Sequence, residues 1–366
     1  MGLVKRCKAL LLLILILSQV VLATGKEVHY LTLVDINTNK TKTVVLDIPI
    51  KNASASITDI LYTKDGYILT GSIFEEDMPS TYGFVAKFNF KGKITWYKEL
   101  GKKAKDSAFY RILKIDNRRF LLLGSVNGSY SPGETASGWV VVMDDNGKVL
   151  KDFDIKVAKV VRLTDGYILD KNKALIVGKI RRGNRYDINP NDGGFWGIID
   201  LNSYNMEKSK IIDSGFWFDS INPTGKRSFL VWSENNIGEI ILEGSFKWKL
   251  DLSSEMCPKI VSIQVKHDGY ELLCKNLKLI NIDQNGRIRH VKGIKADRTC
   301  ILKFGIALDD GNLATLCENE KTKSLYVLKI YTDFAEGRAL LNIGKRSNEV
   351  IYIRQGFFVL LAFLAI

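Results

Sequence analysis

Short apolar runs punctuated by Asp-Gly, Asn-Gly and similar turns make up the chain after its first 23 residues. The runs are rich in Val, Ile, Leu and aromatic residues, and a helical period is missing outside the N-terminal segment. Short β-rich runs at regular spacing are typical of sandwiches, barrels and propellers. The pattern therefore predicts an all-β protein.

The runs also resemble one another, which narrows the choice of fold. Residues 65–73, 119–126 and 174–180 repeat one pattern, and a polar loop and a strand led by Gly83, Gly138 or Gly194 follow each of them. Shorter units in the same order begin near Gly225, His267 and Asp309. A unit of this kind cannot bury both of its faces alone, so units must stack around an axis. We predict a β-propeller of about seven four-stranded antiparallel blades.

The two ends of the chain predict how the ring closes. The apolar tail from Gly356 to Ile366 is too short for a helical membrane span of about 20 residues. Its start, Gly356-Phe357-Phe358, aligns with Gly66-Tyr67-Ile68 of the first repeat. We expect N- and C-terminal strands to share one blade, with the tail pairing with residues 29–34 and residues 42–48 forming the outer strand.

The unit from Phe84 to Trp96, within the wider repeat 65–101, resembles the repeats of quinoprotein-like propellers, in particular those of secreted prokaryotic propeller proteins. The terminal Trp of that repeat is present at Trp96, but Lys151 replaces it in the next unit. Quinone-dependent dehydrogenases of that superfamily are much longer chains with eight blades. The resemblance thus implies the fold, and it does not imply that this protein binds a quinone cofactor.

The N-terminus has the three parts of an export signal. Lys5, Arg6 and Lys8 precede an apolar run, and small residues near Ala23 form a plausible cleavage site. We assign residues 1–23 to a signal peptide, with an uncleaved anchor as the alternative, and residues 24–366 to the propeller. This predicts a secreted or cell-surface protein that touches a membrane only through an uncleaved N-terminal segment.

Charge gives no sign of a nucleic-acid partner. The net charge is +13, but the lysines are scattered and form no block of five or six. We therefore expect a solvated Lys-rich surface and a monomer that binds no nucleic acid. Frequent Lys, Glu and Ile with few Gln resemble hyperthermophile, archaeal-like composition.

No catalytic constellation stands out. The three histidines, His29, His267 and His290, have no Gly-x-Ser-x-Gly elbow beside them, and no phosphate or dinucleotide fingerprint occurs in the required strand-to-helix context. A paired-carboxylate glycosidase stays open, because the two acids can come from different blades.

One segment has the spacing of a calcium loop. Oxygen-bearing residues alternate before a glycine, as Ca²⁺ ligands do; they are Asp187, Asn189, Asn191 and Asp192. The glycine comes one place late, and the twelfth position is Ile198 rather than a bidentate Glu. A polar surface loop is the simpler interpretation, so Ca²⁺ is the one cofactor the sequence suggests, and only weakly.

Four cysteines recur with a common spacing of 43 residues, Cys257 to Cys300 and Cys274 to Cys317. In each of two adjacent units one cysteine precedes the first strand and the other ends the second strand. We predict disulfides Cys257–Cys274 and Cys300–Cys317, against the two other pairings and free thiols. Asn39, Asn52 and Asn127 begin N-glycosylation tripeptides.

Three long loops indicate where a partner binds. The loops from second to third strand cover residues 74–82, 127–137 and 181–193, whereas later units have only a few residues there. Long irregular loops are often functional. The candidate binding residues in or beside these loops are Glu75, Glu76, Asp77, Tyr82, Tyr130, Glu134, Arg182, Arg185 and Tyr186.

We expect a binding or scaffolding module at the cell surface, whose partner is a protein or a polysaccharide. The alternative is an extracytoplasmic lyase or glycoside hydrolase with its site at the mouth of the propeller channel. The aromatic segment 216–218 can line a carbohydrate site or pack between blades, and packing is the more common role.

Overall fold

The structure is a computed structural model of the full chain. It describes residues 12–20, 27–35, 41–46, 48–49, 53–75, 80–101, 106–128, 135–182, 192–212, 215–294, 300–307, 313–319, 325–330 and 358–361. Within these ranges, side chains are described at 46, 48–49, 55–74, 80–101, 106–128, 135–182, 192–212 and 215–294. The described residues contain strands and turns and no helix.

Five four-stranded antiparallel sheets follow one another along the chain, each in simple up-and-down order. Blade 1 contains β4 (Ala53–Thr63), β5 (Gly66–Glu75), β6 (Thr81–Asn89) and β7 (Ile94–Leu100). Blade 2 contains β8 (Ala108–Lys114), β9 (Arg119–Val126), β10 (Ser137–Asp144) and β11 (Val149–Ile155). Blade 3 contains β12 (Val160–Asp170), β13 (Lys173–Arg181), β14 (Gly193–Asp200) and β15 (Asn205–Ile212).

The later sheets keep this order. Blade 4 contains β16 (Ser220–Pro223), β17 (Ser228–Ser233), β18 (Asn236–Ile241) and β19 (Phe246–Asp251). Blade 5 contains β20 (Ile260–Lys266), β21 (Gly269–Cys274), β22 (Lys278–Asp283) and β23 (Ile288–Gly293). Blade 6 has three described strands, β24 (Cys300–Ala307), β25 (Leu313–Asn319) and β26 (Leu325–Ile330). The predicted β-propeller architecture is confirmed by these repeated sheets.

Strands near both ends of the chain form one further sheet, and their pairing differs from the predicted one; closure of the ring through this sheet stays a prediction. Its strands are β1 (Leu12–Val20), β2 (Glu27–Asp35), β3 (Thr41–Leu46) and β27 (Phe358–Leu361), in the order β27-β1-β2-β3. The tail pairs with residues 13–16 and not with 29–34. The reason is that β1 forms a hairpin with β2 in the full chain and takes the place beside it. Whether residues 1–23 are removed as a signal stays a prediction.

The core lies between successive blades rather than within one sheet. The third strands β6, β10 and β14 are buried on both faces except at their ends. The fourth strands are largely exposed, as β15 shows. One apolar cluster joins Ile68 and Val85 of blade 1 to Leu122 and Val141 of blade 2, and similar clusters span the next three boundaries between blades. Burial of both faces by stacking is what makes the repeats stable.

Two tryptophans on fourth strands lie against turn glycines of the next blade. A Cβ on Gly147 would come within 2.8 Å of the Trp96 ring, and one on Gly286 within 2.5 Å of the Trp248 ring. Both glycines have a φ near +80°, a conformation that other residues adopt at a cost. The Trp96 indole N–H also donates to the Asp145 carbonyl, at 2.9 Å. Trp96, the residue that matches the terminal Trp of the quinoprotein-like repeat, thus packs blade 1 against blade 2.

A buried ion pair lies at the same boundary. Lys87 is 3% exposed, and its Nζ lies 2.8 Å from Asp145 of blade 2 and 3.0 Å from Asp65. Burial would lower the pKa of Lys87, but hydrogen bonds to Asp145 and Asp65 outweigh it and the pKa is raised. Lys87 is therefore held as a cation that joins two turns.

The predicted disulfide Cys257–Cys274 is present, with the two Cα atoms 5.2 Å apart. It ties the connection before β20 to the last residue of β21. The side chains of Cys300 and Cys317 lie outside the described side chains, so their pairing stays a prediction. Within the described ranges, no helix is long and apolar enough to cross a membrane.

Candidate binding face

One side of the propeller carries the long loops, and we call it the loop face. The links from second to third strand and the connections between blades emerge here, and the short turns emerge on the opposite, hairpin face. The three loops predicted to be long are the links from second to third strand of blades 1, 2 and 3. In blade 4 the same link is two residues between Ser233 and Asn236. Blades 2 and 3 have long links, residues 127–136 and 182–192, but the link of blade 1 is only residues 76–80, because β5 and β6 pair as far as Phe74 and Thr81. Blade 6 has a link of the same length, residues 320–324, so the predicted concentration of long loops on three consecutive blades is wrong for blade 1.

The roots of these loops are fixed by hydrogen bonds to the connections between blades. Asp106, between blades 1 and 2, accepts hydrogen bonds from the Thr81 backbone N–H and, through its own carbonyl, from Gly128 N–H. Ala136 donates to the Lys159 carbonyl and accepts from Val161 N–H, between blades 2 and 3. The loops thus start from rigid positions, as binding loops on a scaffold do.

The predicted binding residues divide into three groups. Arg182 is exposed at the root of the third loop, and Glu75 is the last residue of β5. Tyr82 does not belong to the binding surface: it lies in β6, is 2% exposed and packs in the core of blade 1. Tyr82 is not a loop residue: it already pairs with Ile73 of β5, and both side chains lie on the buried side of the sheet. The other predicted residues lie outside the described ranges; they are Glu76, Asp77, Tyr130, Glu134, Arg185 and Tyr186.

Of the four residues that have the spacing of a calcium loop, the structure describes only the last, Asp192. Asp187, Asn189 and Asn191 lie outside the described ranges. Asp192 is half-buried and forms an ion pair with Arg181 across the root of the loop, with 3.4 Å between Oδ1 and Nε. No group of three or more His, Cys, Asp or Glu side chains that could hold a metal ion occurs among the described residues. Ca²⁺ binding stays a prediction.

Two aromatic side chains on the loop face add to the predicted binding residues: Phe74, which the sequence analysis missed, and Trp217, which it considered only as part of the segment 216–218. Phe74, at the end of β5 before the first long loop, is 48% exposed. Trp217, in the connection from blade 3 to blade 4, is half-buried, and the Lys179 Nζ lies 5.5 Å from its ring centroid. Its neighbours Phe216 and Phe218 are buried between blades, as expected. Exposed aromatics beside loops are common anchors in binding surfaces.

A second constellation lies on the inner strands β4, β8 and β12, which run beside one another. Arg111 of blade 2 reaches two aspartates, with its Nε 2.8 Å from Asp165 of blade 3 and its Nη1 3.6 Å from Asp59 of blade 1. The aspartates are 5% and 2% exposed, whereas a third of the Arg111 side chain is exposed.

The two carboxylates are held in the same way. Asp59 accepts from Ile60 N–H in its own strand and from Ile112 N–H in the next blade. Asp165 accepts from Gly166 and from Ile221 of the next blade. A threonine precedes each aspartate and donates to a carbonyl of the next blade, at 2.6 Å in both cases. Each Thr-Asp pair thus links its blade to the next.

Burial raises the pKa of both aspartates. It raises the pKa of Asp59 to about 7, against the opposing effects of Arg111 and of the Ile112 and Ile60 N–H groups. It also raises the pKa of Asp165, again against Arg111. Strongly shifted carboxyls can mark catalytic sites. Here both acids have their oxygens engaged by backbone N–H groups and almost no contact with solvent, which is the arrangement of a structural link.

Comparison with known proteins supports the fold alone. No family profile matches the chain, and no curated protein matches it. It is similar in structure to the Swd1 β-propeller domain of Myceliophteria thermophila, with a TM-score of 0.52, 10% identity, and coverage of 84% of this chain and 93% of that one. The Dos1 propeller gives a TM-score of 0.52 at 10% identity, covering 79% and 72%. BamB from Moraxella catarrhalis gives 0.49 at 11% identity, covering 83% and 81%.

Proposed function

We propose that this protein is an extracytoplasmic binding or scaffolding propeller that holds a cell-surface protein or polysaccharide on its loop face. The observation that carries the proposal is the anchoring of the loop roots. The links of blades 1 and 2 start from strands whose ends are fixed to the adjacent connections, through Asp106 and Ala136. The Arg181–Asp192 ion pair joins the two ends of the blade 3 loop. Fixed roots lower the entropy lost when loops become ordered on a partner.

The charge distribution within the described residues favours binding over hydrolysis. A glycosidase needs two carboxyls flanking an open cleft, about 5 to 9.5 Å apart. Asp59 and Asp165, which converge on the inner strands, are buried and share Arg111. Asp65 and Asp145, which converge between blades 1 and 2, share Lys87. We therefore assign them to stability of the ring and place binding on the loop face.

Trimming the loops tests the proposal. Each long loop is replaced by a two-residue turn like the link between Ser233 and Asn236, and attachment to an envelope fraction of the producing organism is measured by co-sedimentation. The trimmed protein should melt close to the parent temperature and lose most of its attachment. A hairpin-face variant, Lys64→Ala with Lys171→Ala, serves as the matched control and should attach like the parent.

If the trimmed protein folds and attaches as well as the parent, the proposal is wrong. A milder variant covers the case in which trimming prevents folding. Glu75→Gln, Glu76→Gln and Asp77→Asn change charge on the first loop without shortening it. Attachment that changes in neither set of variants also contradicts the proposal.

A further inference from the structure

One position of the fourth strand recurs in blades 1 to 5. It pairs with the third strand next to the register shift of each sheet, and in chain order it holds Trp96, Lys151, Lys208, Trp248 and His290. Trp96 and Trp248 pack on turn glycines of the next blade, Gly147 and Gly286. Lys151 supplies no such ring at the boundary between blades 2 and 3.

The turn glycine is missing from the same boundary. Tyr204 has the positive φ of the β14–β15 turn, +56°, where the corresponding turns of blades 2 and 4 have Gly147 and Gly244 at +81° and +75°. A residue with a side chain adopts this conformation at a cost in free energy. The Tyr204 hydroxyl accepts a hydrogen bond from Arg119 of blade 2, at 3.4 Å. Since Trp196 lies against Gly244 at the next boundary, blades 2 and 3 meet without the ring-on-glycine contact found on either side of them.

An open groove of about 300 Å³ lies beside Lys151 and Tyr204, between the outer strands β11 and β15. Phe153 of blade 2 and Met206 of blade 3 are half-buried on its walls, and Val157, 38% exposed, lies at its end towards the loop face. Ligand pockets in proteins reach this volume. The groove therefore has room for an aromatic side chain at the level where a tryptophan packs between blades 1 and 2.

The groove also has an open strand edge and one cation. In the described structure β11 is the last strand of its sheet, so the backbone N–H and C=O groups of its outer edge are available to another strand. Lys151 is exposed and forms no ion pair within residues 135–182 and 192–212, which contain both walls of the groove without a gap, or with any other described residue. Lys156 already pairs with Asp154, at 3.8 Å. Lys151 is thus the cation that a carboxylate of an occupant would meet.

We infer that this groove binds an extended segment of a partner protein, which adds to the outer edge of β11 and inserts an aromatic side chain that has an acidic residue close to it in sequence. Alternate side chains of an added strand would face the groove. The aromatic ring would replace the packing that Trp96 provides one boundary earlier, and the acid would pair with Lys151. The site lies on the rim, apart from the loop face, and the inference does not rest on the proposed function.

The walls favour a protein segment over a polysaccharide. Sugar hydroxyls both donate and accept hydrogen bonds and need polar partners in number. Half of the residues that line the groove are apolar or aromatic, and the Lys156–Asp154 pair engages two of the others. An aromatic ring gains from burial on Phe153 and from contact with the Met206 sulfur.

The test selects peptides from a random nine-residue library displayed on phage, with the full-length protein as bait. Phage that bind the Lys151→Trp variant are removed first, because this substitution fills the groove with a ring from the chain itself. We expect the enriched peptides to share an aromatic residue with Asp or Glu within two places of it. The most enriched peptide is then synthesised, and its affinity for the parent and the variants is measured by fluorescence anisotropy.

Lys151→Trp should weaken peptide binding tenfold or more, and Lys151→Ala, which removes only the charge, about threefold. Ser209→Tyr fills the groove from the blade 3 side at an exposed position, so it should also weaken binding tenfold and covers the case in which Lys151→Trp does not fold. The matched control is Lys208→Trp, the same substitution at the equivalent position of blade 3, where the side chain faces blade 4. It should change the dissociation constant by less than twofold. Melting temperatures check that each variant is folded.

Three results would overturn the inference: no enriched peptide or no shared aromatic residue, unchanged affinity in the folded groove-filling variants, or an equal loss in Lys208→Trp and Lys151→Trp. Sedimentation velocity adds a fourth. A parent dimer that Lys151→Trp converts to a monomer would mean that a second copy of this chain occupies the groove. The loop-trimmed protein should bind the peptide like the parent, so failure at this groove and failure of the proposed function are separate results.

Discussion

The Oδ2 atom of Asp59 accepts a hydrogen bond from the backbone N–H of Ile112, at 2.8 Å, across the boundary between blades 1 and 2. Asp165 and Ile221 repeat this contact between blades 3 and 4, at 3.1 Å. Between blades 2 and 3 the same position holds Arg111, which binds both acids. The same short segment of the inner strands β4, β8 and β12 therefore supplies hydrogen bonds or ion pairs at three successive boundaries between blades.

The raised pKa of Asp59 predicts a specific pH dependence of stability. Between the ordinary value of 3.8 and about 7, the folded state keeps a proton that the unfolded state has released. Raising the pH through this window therefore lowers the free energy of unfolding. Asp59→Asn cannot titrate and should flatten this decline, measured by urea unfolding from pH 4 to 8. The exposed control Asp251→Asn should keep the parent slope, and an equal slope in Asp59→Asn would contradict the assignment.

Removing the shared cation should destabilise the ring. Arg111→Met leaves two buried acids without their counter-ion, which costs about 2 kcal/mol once the partial exposure of Arg111 is allowed for. Because Arg111 lowers the pKa of both acids, the loss should be larger at pH 8 than at pH 5. Denaturant unfolding measures it, with the exposed Arg118→Ala as control. A loss of the same size at both pH values would argue against the ionic role.

The contact between Trp96 and Gly147 predicts the effect of one added methyl group. Gly147→Ala brings a Cβ within 2.8 Å of the indole ring and places alanine at φ +81°. We expect a loss of about 2 kcal/mol. Gly293→Ala, in open space on β23, should change stability by less than about 0.5 kcal/mol. In a Trp96→Ala background the cost of Gly147→Ala should fall to the backbone strain alone, and an unchanged cost would exclude the ring contact as its source.

The two disulfides are tested together by peptide mapping without reduction. Cys257–Cys274 closes a loop of sequence separation 17 and should add about 3 kcal/mol, lost in the Cys257→Ala, Cys274→Ala double variant. We also expect a linked peptide pair containing Cys300 and Cys317, since both lie at equivalent places in the next blade. Alkylation of Cys300 and Cys317 in the unreduced native protein would refute the second bond.

Strand positions could be predicted because turn residues and apolar runs recur with each blade, and strands such as β9 and β21 lie where the repeats placed them. The Cys257–Cys274 bond followed from the same repetition. Tyr82 was misplaced because a pattern of polar residues does not show where a loop ends and strand pairing begins.

The link through Asp59, Arg111 and Asp165 could not be predicted, because the three residues meet only after the blades stack. A signal for it exists in the recurrence of Thr-Asp at 58–59 and 164–165, at the same place in two blades. Trp217 was hidden for a different reason. In a run of three aromatics, the sequence does not show which ring faces outward, and only the packing of Phe216 and Phe218 decides it.

Hydroxyl-radical footprinting with and without the native envelope fraction tests the central claim, binding through the loop face, most directly. Phe74 and Trp217 report on that face, and Val291, 46% exposed on the outer strand of blade 5, reports on the rim. The account predicts that the envelope fraction lowers oxidation of Phe74 and Trp217 at least threefold and leaves Val291 unchanged. Protection of Val291 with full oxidation of Phe74 and Trp217 would contradict it.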